Sequence, residues 1–196
     1  MRKQVAIALC SAVLFSATFG LVTSSSLAIA QQKAAKAKRG QQVHSTMKDL
    51  MESILDPSAD ALWGAVKTVV DTEGTHETVP QTDEEWLDVR RAAIRIIEGG
   101  NLLLLPSREV APPGTKSETP GVELEPAEIA ALVRKKRKSF DALARALQGL
   151  GVEAMRAAEA KNAEALLDIG ARMQDVCEAC HQTFWYPGDK RPSSRN

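Results

Sequence analysis

Five adjacent residues near the C-terminus have side chains and spacing suited to holding a cofactor: Cys177, Glu178, Ala179, Cys180 and His181. In a helix the two thiols lie about one turn apart on the same side, so each can form a thioether with one former vinyl group of a porphyrin. The imidazole that follows can then bind the iron as its proximal ligand. The CxxCH pattern therefore predicts one covalently attached haem c with its iron.

Three other uses of the two cysteines fit the chain less well. A CxxC disulfide oxidoreductase is expected in a βαβ context, which this sequence lacks, and it does not need His181. A structural zinc site needs four ligands, and only His44 and His76 could add to the set. A disulfide across two intervening residues is strained and closes a very short loop, so it would stabilise little.

The N-terminus has the pattern of an export signal. Arg2 and Lys3 are followed by an uncharged apolar run and then by Ala28 and Ala30 in a small-x-small arrangement. This pattern predicts a secretory signal peptide over residues 1–30, cleaved before Gln31, with an uncleaved anchor helix as the alternative. Cleavage would also remove Cys10, which leaves the two motif cysteines in a compartment that permits thioether and disulfide chemistry.

The composition favours a helical globular protein. The 196 residues carry 25 basic and 25 acidic side chains, and such a balance argues against nucleic-acid binding. Hydrophobic residues make up 44% and aromatic residues only 4%, which is too polar for a multi-span membrane protein. Helix-forming residues are abundant, and no alternating strand pattern is apparent.

Apolar residues recur every three or four positions along most of the chain, which predicts helices. We expect them over about 41–55, 58–70, 82 to either 99–100 or 102–105, 126–161, and 162–185. Asp56-Pro57 is expected to interrupt the first segment, and Gly149 and Gly151 to bend the fourth. Residues 71–81 and the proline-rich stretch 106–125 are expected to be loops.

These segments predict an all-α fold, an antiparallel four-helix bundle with the haem on its C-terminal helix. The expected organisation is a signal peptide over 1–30, a flexible arm over 31–40, the bundle over 41–186 with a long loop over 106–125, and a tail over 187–196.

The chain resembles the class II c-type cytochromes, the cytochrome c-prime group. The resemblance lies in Cys177, Cys180, His181 and the following Phe184 on the last helix, together with the Leu50-Met51 pair on the first. It implies an antiparallel bundle with one covalent haem, usually in the bacterial periplasm. Some members of the family carry electrons through an iron with His and Met ligands, whereas others leave the distal side open and bind NO or CO.

The resemblance also points to a distal ligand. Low-spin members of the family place a methionine on the first helix, where Met51 lies in this sequence. The alternatives are ligation by Met47 or His44, or a Met51 that only fills the core. A thioether opposite an imidazole favours reduced iron and suits electron transfer. We therefore expect a one-electron carrier and not an enzyme, with a five-coordinate gas-binding protein as the alternative function.

Other residues are candidates for the surroundings of the haem. Phe184 lies three positions after His181, so it can pack beside the imidazole or the porphyrin edge. Arg108 could pair with a haem propionate. The three tryptophans could line the pocket or belong to the ordinary core: Trp63, Trp86 and Trp185.

The sequence also contains a run of five basic residues, 134–138. A helix would spread them around its circumference, which favours a solvated surface, with a docking patch for an acidic redox partner as the alternative. The expected partners are periplasmic redox proteins, with no nucleic acid and no membrane span after cleavage. A homodimer is left open.

Overall fold

The computed structural model describes residues 42–188, and the chain from Val43 onward groups into one unit. The expected signal peptide over 1–30 and the arm over 31–40 lie outside the described residues, as does the tail after Gly188. The described part is mostly helical and contains one small antiparallel sheet. Within it, no helix is both long enough and apolar enough to cross a bilayer.

The first helical stretch begins later than expected and is not broken at Asp56-Pro57. Helix α1 is Met47–Leu50, a π-helical segment follows over Met51–Leu55, and helix α2 is Asp56–Ala65. Thr46 starts α1 through a capping box with Asp49, so the residues before it are not helical. Leu50, Leu55 and Asp56 keep helical dihedral angles across the two junctions.

A proline inside a helix removes a hydrogen bond and its ring crowds the carbonyl four residues earlier. Here the wider π turn lies directly before the α2 turn that contains Pro57. We attribute the π segment to this proline, because an extra residue in a turn is a common way to relieve such crowding. The prediction of two separate helices was therefore wrong.

A β-hairpin replaces the end of the second predicted helix and the loop after it. Strand β1 is Lys67–Asp71, strand β2 is Gly74–Thr78, and the two pair antiparallel. The Asp71 carboxylate accepts hydrogen bonds from the backbone N–H groups of Glu73 (2.8 Å) and Gly74 (3.2 Å), which closes the turn. Gly74 has a φ of 133°, which strongly favours glycine. The expectation of no strand was therefore wrong.

Helix α3 is Asp83–Leu104, which confirms the predicted helix. It ends within 102–105, the later of the two predicted C-terminal ends. Thr82 and Glu85 form a capping box at its start. Gly99 and Gly100 do not end the helix. Both are buried, where α3 packs closely on its neighbours. A Cβ on Gly99 would lie 2.5 Å from Cδ2 of Leu55, so this glycine permits the close approach of α3 to the π segment.

Residues 106–125 contain no helix, as expected, and the next helices are α4 (Pro126–Lys135) and α5 (Arg137–Glu159). Helix α5 runs without interruption through Gly149 and Gly151, where a bend was expected. The predicted helix breaks instead at Lys136, where φ is −111° and ψ is 35°. Helix α6 is Ala163–Phe184, and its N-cap Asn162 confirms the predicted start.

The core lies between the long helices. Helix α3 packs on α2 and α5, and α5 packs on α6. Fully buried small residues allow these helices to approach closely, and Ile96 and Met173 fill the centre. Met155 is partly buried against this core.

Candidate functional site

The CxxCH residues lie in the last two turns of α6, facing a cavity between the helices. Cys177 and Cys180 are half-buried free thiols, and both line this inner cavity together with His181. Its volume is about 140 Å³. The structure thus brings the three predicted motif residues to one site, as helical spacing requires.

The rest of the inner cavity is walled by mostly apolar side chains from four other elements. They come from the π segment, α2, α3 and α5: Leu55, Ala59, Trp63, Ile96, Leu103, Phe140, Leu143, Ala144 and Leu147. An apolar wall with a few convergent polar groups is the usual lining of a cofactor site.

A second, outer cavity of about 300 Å³ adjoins the first. Five residues line both cavities: Met51, Asp56, Phe140, Cys180 and His181. The outer cavity alone reaches the lower end of the roughly 300–1,000 Å³ range of small-molecule sites. The two cavities therefore form one cleft, and they join at Met51 and His181.

Met51 is the one distal candidate that lines both cavities. It is partly buried and is the first residue of the π segment, a type of distortion that is frequent at functional sites. Met47 lines only the outer cavity. His44 is exposed, precedes α1 and lines neither cavity, so it does not share the helical face that the sequence predicted.

His181 is held by aromatic side chains at the end of α6. Its ring lies edge-on to Trp185, with 5.2 Å between centroids, and 6.0 Å from the ring of Tyr186. The carbonyl of His181 accepts hydrogen bonds from the backbone N–H groups of both residues, at 2.7 and 3.0 Å. The Tyr186 hydroxyl in turn donates to Glu178 at 3.0 Å. The helix end and its aromatic residues therefore restrict the position of the imidazole.

Burial controls the protonation of the motif. It raises the pKa of Cys177 to about 11, with a further contribution from the nearby Asp56 carboxylate. Burial likewise raises the pKa of Cys180 to about 12, assisted by Cys177. The pKa of His181 is lowered by burial, although Asp56 and Glu178 act in the opposite direction. The imidazole is thus favoured in its neutral form, the form that ligates metals.

Asp56 is a site residue that the sequence did not indicate, because the Asp-Pro pair predicted only an interruption of the helix. It lines both cavities, and partial burial of its carboxyl raises its pKa, against the influence of His181. Asp56 lies five residues after Met51, and a π turn brings residues five positions apart onto one face. The sequence could therefore have indicated Asp56 only if the π turn had been predicted.

The remaining predicted residues divide between the site and the scaffold. Phe184 is buried, lines the outer cavity and packs edge-on to Phe140 at 5.5 Å. Trp63 lines the inner cavity and Trp185 the outer one, whereas Trp86 lines neither.

Arg108, the candidate partner of a haem propionate, lines neither cavity. Its guanidinium is buried and donates to the carbonyl of Ser45 at 2.5 Å and to the carbonyl of Leu102 at 3.1 Å. Arg108 therefore ties the long loop to the residues before α1.

The 106–125 loop forms one wall of the outer cavity. Its backbone carbonyls at Glu109 and Val110 accept hydrogen bonds from the N–H groups that begin α1, at 2.8 and 2.9 Å. The ammonium of Lys48 bridges Glu118 in the loop (2.9 Å) and Glu52 in the π segment (2.8 Å). These contacts hold the loop beside Met51, a placement that the loop's composition did not indicate.

The basic run lies at the junction of α4 and α5. Arg137 belongs to the scaffold, since it pairs with Asp141 at 2.7 Å and donates to the carbonyl of Leu104 at 2.8 Å. The other four basic residues are exposed. Val133 and Phe140, on either side of the run, line the cavities, so the positive charge lies near the cleft.

The donor set fits a haem better than a bare ion. Across residues 42–188, no three His, Cys, Asp or Glu side chains are grouped to hold a metal ion. A porphyrin brings four nitrogen ligands of its own, so it needs from the chain only axial ligands, attachment thiols and apolar walls. Two thiols, an imidazole and a thioether line this cleft. Comparison of the chain with protein-family models, curated proteins and solved structures finds no match.

Proposed function

We propose that this chain is an exported monohaem c-type cytochrome that carries one electron at a time. In this proposal Cys177 and Cys180 attach the haem, His181 is the proximal ligand and Met51 the distal ligand. The observation that carries it is the convergence of these four residues on one apolar cleft. A bound haem supplies an iron that alternates between the ferrous and ferric states.

The surrounding chain would support that chemistry in three ways. The apolar walls of the inner cavity would limit the access of water to a bound haem and lower the local dielectric. The aromatic residues around His181 would hold its imidazole in place as the proximal ligand. The exposed basic residues near Phe140 offer a surface for an acidic redox partner.

We also propose that the helices form a four-helix bundle of the class II type. Its first member is the continuous stretch from α1 through α2, and the others are α3, α5 and α6. In support, these members supply all of the residues that line the inner cavity. Helix α4 and the hairpin are then additions to the bundle.

The first test is production of the chain together with a periplasmic haem-attachment system. Absorption spectra of the oxidised and reduced protein, with a pyridine haemochrome, report whether two thioethers are present. We expect a low-spin spectrum, and a mature N-terminus at Gln31 by mass spectrometry. A product without covalent haem would refute the proposal.

The distal ligand is tested by Met51→Ala against Met155→Ala, a partly buried methionine that lines neither cavity. We expect Met51→Ala to give a high-spin ferrous protein that binds CO, and Met155→Ala to keep the parent spectrum. A parent protein that binds CO readily would instead favour the gas-binding function. The outer cavity beside Met51 supports that second candidate, because it offers room for a diatomic ligand.

A further inference from the structure

The β-hairpin has features of an interaction surface. All ten residues of its two strands are exposed, and within the described chain β1 pairs only with β2. Val69 is 45% exposed and Val70 is 75% exposed. A lone two-stranded hairpin is at best marginally stable in water, and its free edges are templates for another strand.

The sequence of β1 is complementary to itself when two copies run antiparallel. If the pairing is centred on Val69, Lys67 of one copy lies opposite Asp71 of the other, on both sides of a two-fold axis. Val69 then faces Val69, and Thr68 faces Val70. Opposite charges and β-branched pairs in direct cross-strand contact stabilise antiparallel sheets.

The free edge of β2 lacks this complementarity. Antiparallel pairing centred on His76 would place His76 against His76 and Thr75 opposite Glu77, with no pair of opposite charges. Gly74, at the start of the strand, also adds no side chain to such a sheet. The edge suited to self-association is therefore β1.

We propose that two copies of this chain associate through β1, forming a four-stranded sheet in the order β2-β1-β1-β2. The occupant of the edge is a second copy, and the symmetry is two-fold, as in most homodimers. A five-residue edge buries less area than a standard interface, so the dimer is weak and its population depends on concentration. The inference does not depend on the proposed haem function.

The register is tested by disulfide cross-linking of the full chain. Val69→Cys places two thiols opposite each other, whereas Val70→Cys places its thiol opposite Thr68 of the partner. Because Val70 is the more exposed of the two, random collisions would cross-link Val70→Cys faster. We expect the reducible dimer of Val69→Cys to form at least tenfold faster than that of Val70→Cys, after the rate for the unmodified chain is subtracted. Equal or reversed rates would overturn the register.

The charge pairing is tested by sedimentation up to roughly 1 mM protein, where an interface with a millimolar dissociation constant is substantially populated. Lys67→Asp places like charges opposite each other and should abolish the dimer. Adding Asp71→Asn removes the repulsion while keeping an oxygen acceptor for the turn, so the double variant should recover dimer. A parent protein that stays monomeric, or a dimer unchanged by Lys67→Asp, would refute the proposal.

Discussion

At the residue scale, the cysteines have a consequence that can be measured without haem. Their raised pKa values, about 11 and about 12, keep both thiols protonated at pH 8 in the folded chain. Since the thiolate is the reactive form, we expect alkylation of the haem-free protein at pH 8 to be at least ~100-fold slower than that of a free thiol with a pKa near 8.5.

The rate should rise steeply as the pH approaches 11, because the thiolate fraction then grows. Iodoacetamide labelling followed by mass spectrometry of the peptide with Cys177 and Cys180 measures it, and the urea-unfolded chain is the control. Rapid labelling of the folded chain at pH 8 would contradict the burial seen here. A haem-loaded chain should resist labelling even in urea, because thioethers have no free thiol.

Glu85 provides a second prediction at this scale. Its carboxylate accepts hydrogen bonds from the backbone N–H groups of Gln81 (2.6 Å) and Thr82 (2.9 Å), which lower its pKa below the ordinary value of 4.5. A lowered pKa in the folded state means that the ionised group stabilises the fold. That contribution is present above pH 4.5 and is lost as the pH falls through the lowered value.

We therefore expect Glu85→Gln to reduce the free energy of unfolding at neutral pH, and the difference from the parent to shrink in acid. Urea titrations at several pH values measure this. Glu84→Gln is the control, since Glu84 lies in the same turn but is absent from the capping box. An equal effect of both substitutions would show that the loss of charge at the helix end, and not the cap, is responsible.

At the element scale, replacing two glycines of α5 by alanine distinguishes the effect of packing on stability from the effect of helix propensity. A Cβ on Gly151 would lie 2.9 Å from Cγ1 of Ile97 and 3.2 Å from its backbone nitrogen. No heavy atom outside the local backbone lies within 4 Å of a Cβ at Gly149. We expect Gly151→Ala to destabilise by about 1–3 kcal/mol through overpacking, and Gly149→Ala to stabilise by up to about 1 kcal/mol. Thermal or urea unfolding of the pair checks the sign, and stabilisation by Gly151→Ala would contradict the close helix contact.

The elements also show what the sequence could predict. The starts of α3 and α6 were predictable, because their caps are local: Thr82 with Glu85, and Asn162 with the following turn. The hairpin was missed because Val66, Val69 and Val70 also fit a helical spacing. Only the β-branched residues and the turn at Asp71 distinguish a strand there, and these are weaker signals.

The site shows the same division between local and distant information. The helical relation of Cys177, Cys180 and His181 is set by spacing alone, so it was predictable. The roles of Asp56 and Lys48 were not, since they depend on a π turn and on a loop from a distant part of the chain. The hydrogen bond between Arg108 and Ser45 was equally unpredictable, because the two residues are 63 positions apart in the chain.

At the scale of the whole molecule, the distribution of charge gives a prediction that rests on the proposed function. Exposed Lys138 lies two residues before Phe140, which lines both cavities, whereas exposed Arg156 lies roughly 27 Å further along the same helix at 1.5 Å per residue. Positive charge near an electron-exit site attracts anionic reagents at a rate that depends on ionic strength. The two substitutions Lys138→Glu and Arg156→Glu change the net charge equally.

We expect Lys138→Glu to slow oxidation of the reduced haem protein by hexacyanoferrate(III) a few-fold at 0.1 M salt, and to speed oxidation by a cationic cobalt complex. The Debye length at this ionic strength is ~10 Å, so the roughly 27 Å between Lys138 and Arg156 is more than twice that length. Arg156→Glu should therefore change both rates much less. Stopped-flow measurements over a range of ionic strength distinguish these outcomes. Equal effects of the two substitutions would mean that only net charge matters, and electrons would then not leave the cleft near the α4–α5 junction.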